Sequence, residues 1–204
     1  MTNAPVTLFW ARYVCSLAPH IALREAGAAF NLVRVDLSTK LTDGGDRFDA
    51  ITTTGYVPAL RLGDGSILTE AAVILHHIAD THAEAELAPP RGAPERLRLD
   101  ERLHFVATEL HKGFAPFTVM PNPGDEAKAW ARARLGKAVG LLANDLGNRP
   151  FLGGERFSIL DAYAFWAIGA YVALTRAELP PPLATYLERV RARPAVKAAL
   201  DAEA

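Results

Sequence analysis

The chain has a single cysteine, Cys15, among 204 residues. An internal disulfide is excluded, so the fold does not depend on oxidation and a reducing compartment suits it. Neither sign of charge is in excess: the formal net charge is -1, and no basic run stands out. A nucleic-acid binder needs a face that neutralises phosphates, and none is visible. No apolar run approaches membrane-spanning length, and the N-terminus lacks a basic region followed by an apolar stretch. Internal repeats and low-complexity tracts are lacking too. These absences lead to the expectation of a soluble, cytoplasmic protein without nucleic-acid or membrane partners. Half of the residues are hydrophobic, enough for a substantial core.

Along the chain, the first eighty or so residues alternate between strand and helix patterns. Val6 to Trp10 reads as a buried strand, Cys15 to Ala26 as a helix closed by Gly27, and Phe30 to Leu37 as a second strand. The polar segment Ser38 to Asp46 follows, then a short helix from Asp46 to Ile51. Val57 to Leu62 reads as a strand, Asp64-Gly65 as a hairpin turn, and Thr69 as the cap of a helix through Ile78. The order β-α-β-α-β-β-α describes a thioredoxin-like α/β domain, residues 1–82. Residues 83–94 are rich in Pro, Ala, Gly and acidic side chains and read as a linker. From residue 95 to 204 strand patterns disappear. Leu97 to Phe114 has helical spacing throughout, as does Ala131 to Leu142. Ser158-Ile159-Leu160-Asp161 is a capping box opening a helix that is apolar on nearly all sides, the expected centre of an all-α C-terminal bundle. Pro180-Pro181-Pro182 interrupts the chain, and two short helices, Leu183 to Val190 and Pro194 to Ala202, complete it.

Cys15 falls where a strand hands over to the first turn of a helix. A helix N-terminus favours a thiolate, which predicts a reactive thiol; the alternative is a small buried hydrophobe. Thioredoxin-type folds usually carry a second cysteine near that turn, but position 18 is Ala18. Without a resolving partner, the thiol's chemistry requires a second thiol from outside. Gly55-Tyr56-Val57-Pro58 enters a strand through a proline. A cis bond there would turn the backbone of Val57 toward an open edge suited to an extended peptide, whereas a trans bond would make only a rigid strand entrance. Glu70 and Ala71 open a helix. There, amides can hold a carboxylate and Glu70 can meet an ammonium group, or Glu70 simply complements the dipole. His111 and Lys112 lie on a long helix, where His111 either bonds a bound thiol or is satisfied by its own backbone surroundings. His76, His77 and His82 lack the spacing and companion ligands of a metal site, so no metal is expected.

Together these stretches resemble the glutathione S-transferases of the bacterial beta class over almost the entire chain. The resemblance is carried by Cys-Ser-Leu-Ala-Pro-His at 15–20, Leu-Arg-Glu-Ala-Gly at 23–27, Val-Asp-Leu at 35–37 with Lys40, and Gly-Tyr-Val-Pro at 55–58. Further matches are Leu-Thr-Glu-Ala at 68–71, Ala-Thr-Glu-Leu-His-Lys-Gly-Phe at 107–114 and Phe-Ser-Ile-Leu-Asp-Ala-Tyr at 157–163. It implies glutathione as co-substrate, a homodimer and a role in detoxification. It also implies catalysis by Cys15 and His111, and glutathione contacts from Lys40, Tyr56, Val57 before a cis Pro58, Glu70, Ala71, His104 and Lys112. Tyr13, Phe114, Phe117 and Trp166 are the expected electrophile pocket. This chain departs from the family's common pattern at Tyr13-Val14, where Gly-Ala is usual and crowding of Cys15 is expected, and at Tyr56, Ala71 and His104. The expected activity is conjugation of glutathione to small hydrophobic electrophiles, or thiol exchange with disulfides. The alternatives are a non-catalytic glutathione- and hydrophobe-binding protein, and a glutathione-dependent reductase.

Overall fold

A computed structural model describes residues 5–204, so the first four residues of the expected 1–82 unit lie outside the described residues. Strand β1 (Val6–Trp10) is the middle of a five-stranded sheet of order β3-β2-β1-β4-β5. The other strands are β2 (Phe30–Asp36), β3 (Leu41–Thr42), β4 (Ala59–Arg61) and β5 (Ile67–Thr69). β1 is parallel to β2, from Val6 opposite Phe30 to Trp10 opposite Arg34, and antiparallel to β4. A parallel pair needs a crossover, which helix α1 (Leu17–Glu25) supplies. Because β1 is central, its alternating side chains feed two cores on opposite faces. Leu8 and Trp10 join the large core with Ile21 and Ile74, whereas Phe9 joins a small core with Val35, Val57, Ala59 and Phe48. Phe48 belongs to the short helix α2 (Phe48–Ile51), and its ring centroid is 5.5 Å from that of Phe9.

The thioredoxin-like arrangement is the expected one, with one strand more than the sequence reveals. β3 lies inside the polar segment 38–46 and pairs antiparallel with Val35 and Asp36. Two residues, one of them a half-exposed leucine, are too few to show an alternating pattern. The preceding turn is set by Asp36, whose Oδ1 accepts from the Ser38 amide, the Ser38 hydroxyl and the Thr39 amide. Helix α3 (Ala71–Thr81) is capped by Glu70 rather than Thr69; Glu70 takes a left-handed φ of 69°, and Thr69 ends β5.

Helix α4 (Pro94–Phe105) does not continue uniformly to Phe114 as its periodicity suggests. Val106–His111 form a π-helical turn and Lys112–Phe114 a 3-10 turn before the short helix α5 (Ala115–Thr118). Pro116 has no amide to donate to the carbonyl of Lys112, so an α-helical hydrogen-bond ladder cannot run through this point. Gly113 also passes close to helix α6 (Asp125–Leu146): a Cβ there would lie 2.8 Å from Leu135 Cδ2. Helix α7 (Ile159–Thr175) is the buried centre, with every residue from Ile159 to Ile168 inside. Its start is held by the fully buried Asp161. The carboxylate accepts from the amides of Leu152 and Ser158 and from the hydroxyls of Ser158 and Tyr186, at 2.8–3.0 Å.

Helices α8 (Pro181–Arg191) and α9 (Pro194–Glu203) complete the chain. Pro181 and Pro182 form the first turn of α8 instead of only halting the chain, because the first helical amides need no partner. The segment 83–94 is pinned, with Leu87 buried and its carbonyl accepting from the amide of Ile159. A second long-range clamp joins α9 to α1. The fully buried His20 directs Nδ1 at Glu203 Oε1, 2.8 Å away, and its Nε2 accepts from Arg24 Nε at 2.9 Å. No helix among the described residues is long and apolar enough to cross a membrane.

Candidate active site

Cys15 sits in the turn between β1 and α1, just before the N-cap Ser16. Ser16 fixes that turn: its hydroxyl accepts from the Ala11 amide at 3.2 Å and donates to the Ala11 carbonyl at 3.1 Å. The buried backbone at the end of β1 is thereby satisfied. Cys15 is only 6% exposed, and its thiol donates to the Val57 carbonyl at 3.4 Å. The expected thiolate is not what this geometry stabilises. Burial pushes the Cys15 thiol up to about 12, outweighing the lowering by its own amide, the Lys112 charge and the Ser16 amide, while Glu70 pushes further upward. A nine-residue helix end cannot offset the loss of water around the sulfur.

Across the site, the π-helical turn ends on His111, whose Nδ1 lies 2.6 Å from the Tyr163 hydroxyl on α7. The imidazole also meets the Trp166 ring edge-on at 4.6 Å, and Trp166 meets Phe114 edge-on at 6.0 Å. Burial, with the Lys112 charge beside it, pulls His111 down to about 4. Burial raises Tyr163 well above its ordinary value, and the Glu70 charge adds to the rise. The buried Trp166 Nε1 has no hydrogen-bond partner among the described residues. Most buried donors in folded proteins have a partner.

The Val57–Pro58 peptide bond is cis. Lys40, in a left-handed conformation, donates its ammonium to the Gly55 carbonyl at 3.1 Å and lies 5.8 Å from the exposed Tyr56 ring. Glu70 is exposed and Ala71 buried at the start of α3. Cys15, Val57, Glu70, Lys112, Tyr163 and His111 are thus connected by contact or by charge.

The remaining predicted residues differ in exposure. Tyr13 is 79% exposed with a left-handed φ of 63°, its ring 5.7 Å from the Arg12 guanidinium, while Val14 packs on the small core. Phe114 and Trp166 are buried, and Phe117 lines a different cleft. His104 is exposed, its Nδ1 2.8 Å from the Asp100 carbonyl. No group of three or more metal-ligating side chains occurs among the described residues. Tyr163 is the residue at this site that sequence reasoning missed, because its periodicity marks it as core and only the three-dimensional contact with His111 separates it from its neighbours.

Comparison with known proteins agrees with this architecture. The family model described as glutathione S-transferase, N-terminal domain, matches residues 14–81. Glutathione S-transferase GstA of Escherichia coli O157:H7 is 40% identical over 197 residues, covering 96% of this chain and 98% of that protein. A sphingomonad glutathione S-transferase solved in complex with glutathione is 43% identical, with a TM-score of 0.89 over 97% of this chain and 98% of the other. The beta-class enzyme of Sphingomonas chungbukensis is 42% identical, with the same TM-score and the same coverage. With the lone thiol at the β1–α1 turn, the cis Val57–Pro58 bond and this similarity along nearly its full length, the chain belongs to the glutathione S-transferase family, in its bacterial beta class.

Proposed function

We propose that the chain transfers the sulfur of glutathione to small hydrophobic electrophiles and exchanges it with disulfides, acting as a cytoplasmic homodimer. Residues 1–82 hold the tripeptide, 83–94 connect, and 95–204 shape the electrophile pocket. The cysteinyl backbone of glutathione pairs with Val57, and its γ-glutamyl end meets Glu70 and the amide of Ala71. Lys40, Tyr56, His104 and Lys112 surround the remainder of the tripeptide.

Tyr163 holds its proton tightly and donates it to His111 Nδ1, so the ring's own hydrogen lies on Nε2. From there it donates to the sulfur of bound glutathione, favouring its thiolate as the thiol proton leaves to solvent. That thiolate attacks the electrophile, forming a carbon–sulfur bond as the leaving group departs with its electron pair. Conjugation needs Cys15 only as a neutral S–H donor to that sulfur. Exchange needs Cys15 ionised to attack a disulfide, and its burial makes this the harder of the two reactions.

The observation that carries this reading is the lone thiol donating to the Val57 carbonyl beside the cis Val57–Pro58 bond. Cys15→Ala should abolish exchange with a glutathionylated disulfide while leaving conjugation of 1-chloro-2,4-dinitrobenzene measurable. Full retention of exchange would assign the chemistry to glutathione's own thiol, since Ser16 is tied to Ala11 and Tyr13 faces solvent. Calorimetry that finds no glutathione binding would remove the reading altogether. A second reading, a protein that binds glutathione without turnover, is favoured by the burial of Cys15. Tight binding with no turnover on several electrophiles would select it.

A further inference from the structure

Helix α1 is nine residues long, about 13 Å at 1.5 Å per residue, too short to hold its own position. All seven residues from Leu17 to Leu23 are buried, and His20 is the one among them with a polar side chain. The others bury apolar surface without fixing a direction, whereas a hydrogen bond fixes both distance and angle. His20 is thus the side chain that can set where the buried part of this helix sits.

Its imidazole is held in one tautomer. Arg24 Nε can only donate, at 2.9 Å, so Nε2 is the lone-pair nitrogen and the ring hydrogen lies on Nδ1. That hydrogen points at Glu203 Oε1, 2.8 Å away. Glu203 is 4% exposed, and its carboxylate has this imidazole as its hydrogen-bond partner among the described residues. A neutral ring therefore bridges a cation on α1 and a buried anion on α9. The other end of α9 is tied as well. Arg193 donates to Glu25 Oε1 and Oε2 at 2.6 and 2.8 Å, with its guanidinium 4.4 Å from the centroid of the Phe157 ring. With α9 fastened to α1 at both of its ends, the position of one helix sets that of the other.

The tie reaches the thiol through the backbone. The His20 amide donates to the Ser16 carbonyl at 3.2 Å, and the Ser16 hydroxyl is bonded to Ala11 just past β1. The Cys15 carbonyl in turn accepts from the Ala18 amide at 3.2 Å. Cys15 is carried on the turn that His20 closes. Its burial decides how little thiolate it forms.

We propose that His20 is a positioning residue for Cys15: held by Glu203, it keeps α1 seated so that the thiol stays buried, which favours conjugation over exchange. Both side chains act through α1, and neither is catalytic. The balance between the two reactions rests on the proposed transferase activity, whereas the burial of the thiol is measured without glutathione.

The test compares Glu203→Ala, His20→Phe and His20→Gln in the full chain. Alkylation of Cys15 by iodoacetamide in ligand-free protein, followed by mass spectrometry, should be about tenfold or more faster in Glu203→Ala and His20→Phe, the effect of losing one hydrogen bond to a buried charge. His20→Gln, whose amide donates and accepts as the neutral imidazole does, should stay within about twofold of the unaltered chain. Arg102→Ala, which breaks the tie between α4 and α6, controls for lost stability alone. It should lower the melting temperature and leave the alkylation rate unchanged. An unchanged rate in Glu203→Ala would overturn the proposal, as would an acceleration equal to that of Arg102→Ala at a matched loss of melting temperature. Should His20→Phe fail to fold, Glu203→Ala and His20→Gln decide alone. The ratio of kcat/KM for exchange to that for conjugation should rise in Glu203→Ala; a ratio that stays put while alkylation accelerates would also overturn the proposal. Faster alkylation in a chain that binds no glutathione would keep the positioning of the thiol and remove only the transferase reading.

Discussion

The turn that holds Cys15 and the turn that holds His111 are built differently. At the Cys15 turn a single hydroxyl, Ser16, accepts and donates to the backbone of the strand it leaves, five residues away. At the His111 turn the Thr108 hydroxyl only donates, to the His104 carbonyl; Pro116 ends the α-helical ladder just beyond the turn, and α7 supplies the partner for the imidazole. The first side is locally specified, and the second depends on packing between distant segments. Both share one environmental effect, since burial drives each reactive group toward its neutral form: the thiol keeps its proton and the imidazole loses one.

The sharpest break of this symmetry is chemical. With Cys15 pushed up to about 12 from 9.0, the thiolate fraction at neutral pH falls by about a thousandfold relative to an ordinary thiol. Iodoacetamide should alkylate the ligand-free protein at least that much more slowly than free cysteine, as followed by mass spectrometry. Alkylation at the free-cysteine rate would show that the turn does create a thiolate. Next in size is the support of the imidazole side. Asp161→Ala strands several buried donors at the start of α7 and should cost on the order of 4 kcal/mol in denaturant unfolding. Ser16→Ala, which strands only the Ala11 pair, should cost roughly half as much.

The pH dependence separates the two sides further. His111 has a native value near 4 against 6.5 unfolded, so between those values the unfolded chain binds more protons. Its contribution is fully present above pH 6.5 and is lost as the pH falls toward 4, by up to about 3 kcal/mol. Cys15 has the opposite sign: its native value is raised, so its contribution is present below 9 and is lost as the pH climbs toward 12. Melting curves across both windows should show His111→Phe flattening the acid limb and Cys15→Ala the alkaline limb; an unchanged acid limb would mean that His111 is not held neutral by burial. The smallest effect expected is for Tyr163→Phe, about tenfold in kcat/KM for conjugation, the loss of one hydrogen bond to the imidazole. A shifted pH–rate profile distinguishes that positioning role from a merely structural one.

Much of the thiol side was legible in the sequence. Strand-to-helix handover and the Asp64-Gly65 turn are local patterns, and the structure contains both, as it does the Ser158–Asp161 box that opens α7. The imidazole side was less so. Periodicity from Leu97 to Phe114 shows which face is apolar but is blind to a change of pitch, so the π-helical turn stayed hidden although Pro116 was in view. Dipole reasoning favours a charged Cys15, while the burial that opposes it comes from segments remote in sequence. His20 passed unremarked as one letter of a motif, and only the fold shows it buried against Glu203.

That last contact has a temporal meaning. Translation delivers residue 20 long before residue 203, at roughly 5–20 residues per second. During that interval the first helix carries an imidazole whose companion does not yet exist, and Glu25 likewise waits for Arg193. The thioredoxin-like half made as a separate fragment should accordingly be soluble only with difficulty, since its first helix would lack the residues of the chain's last segment that cover it.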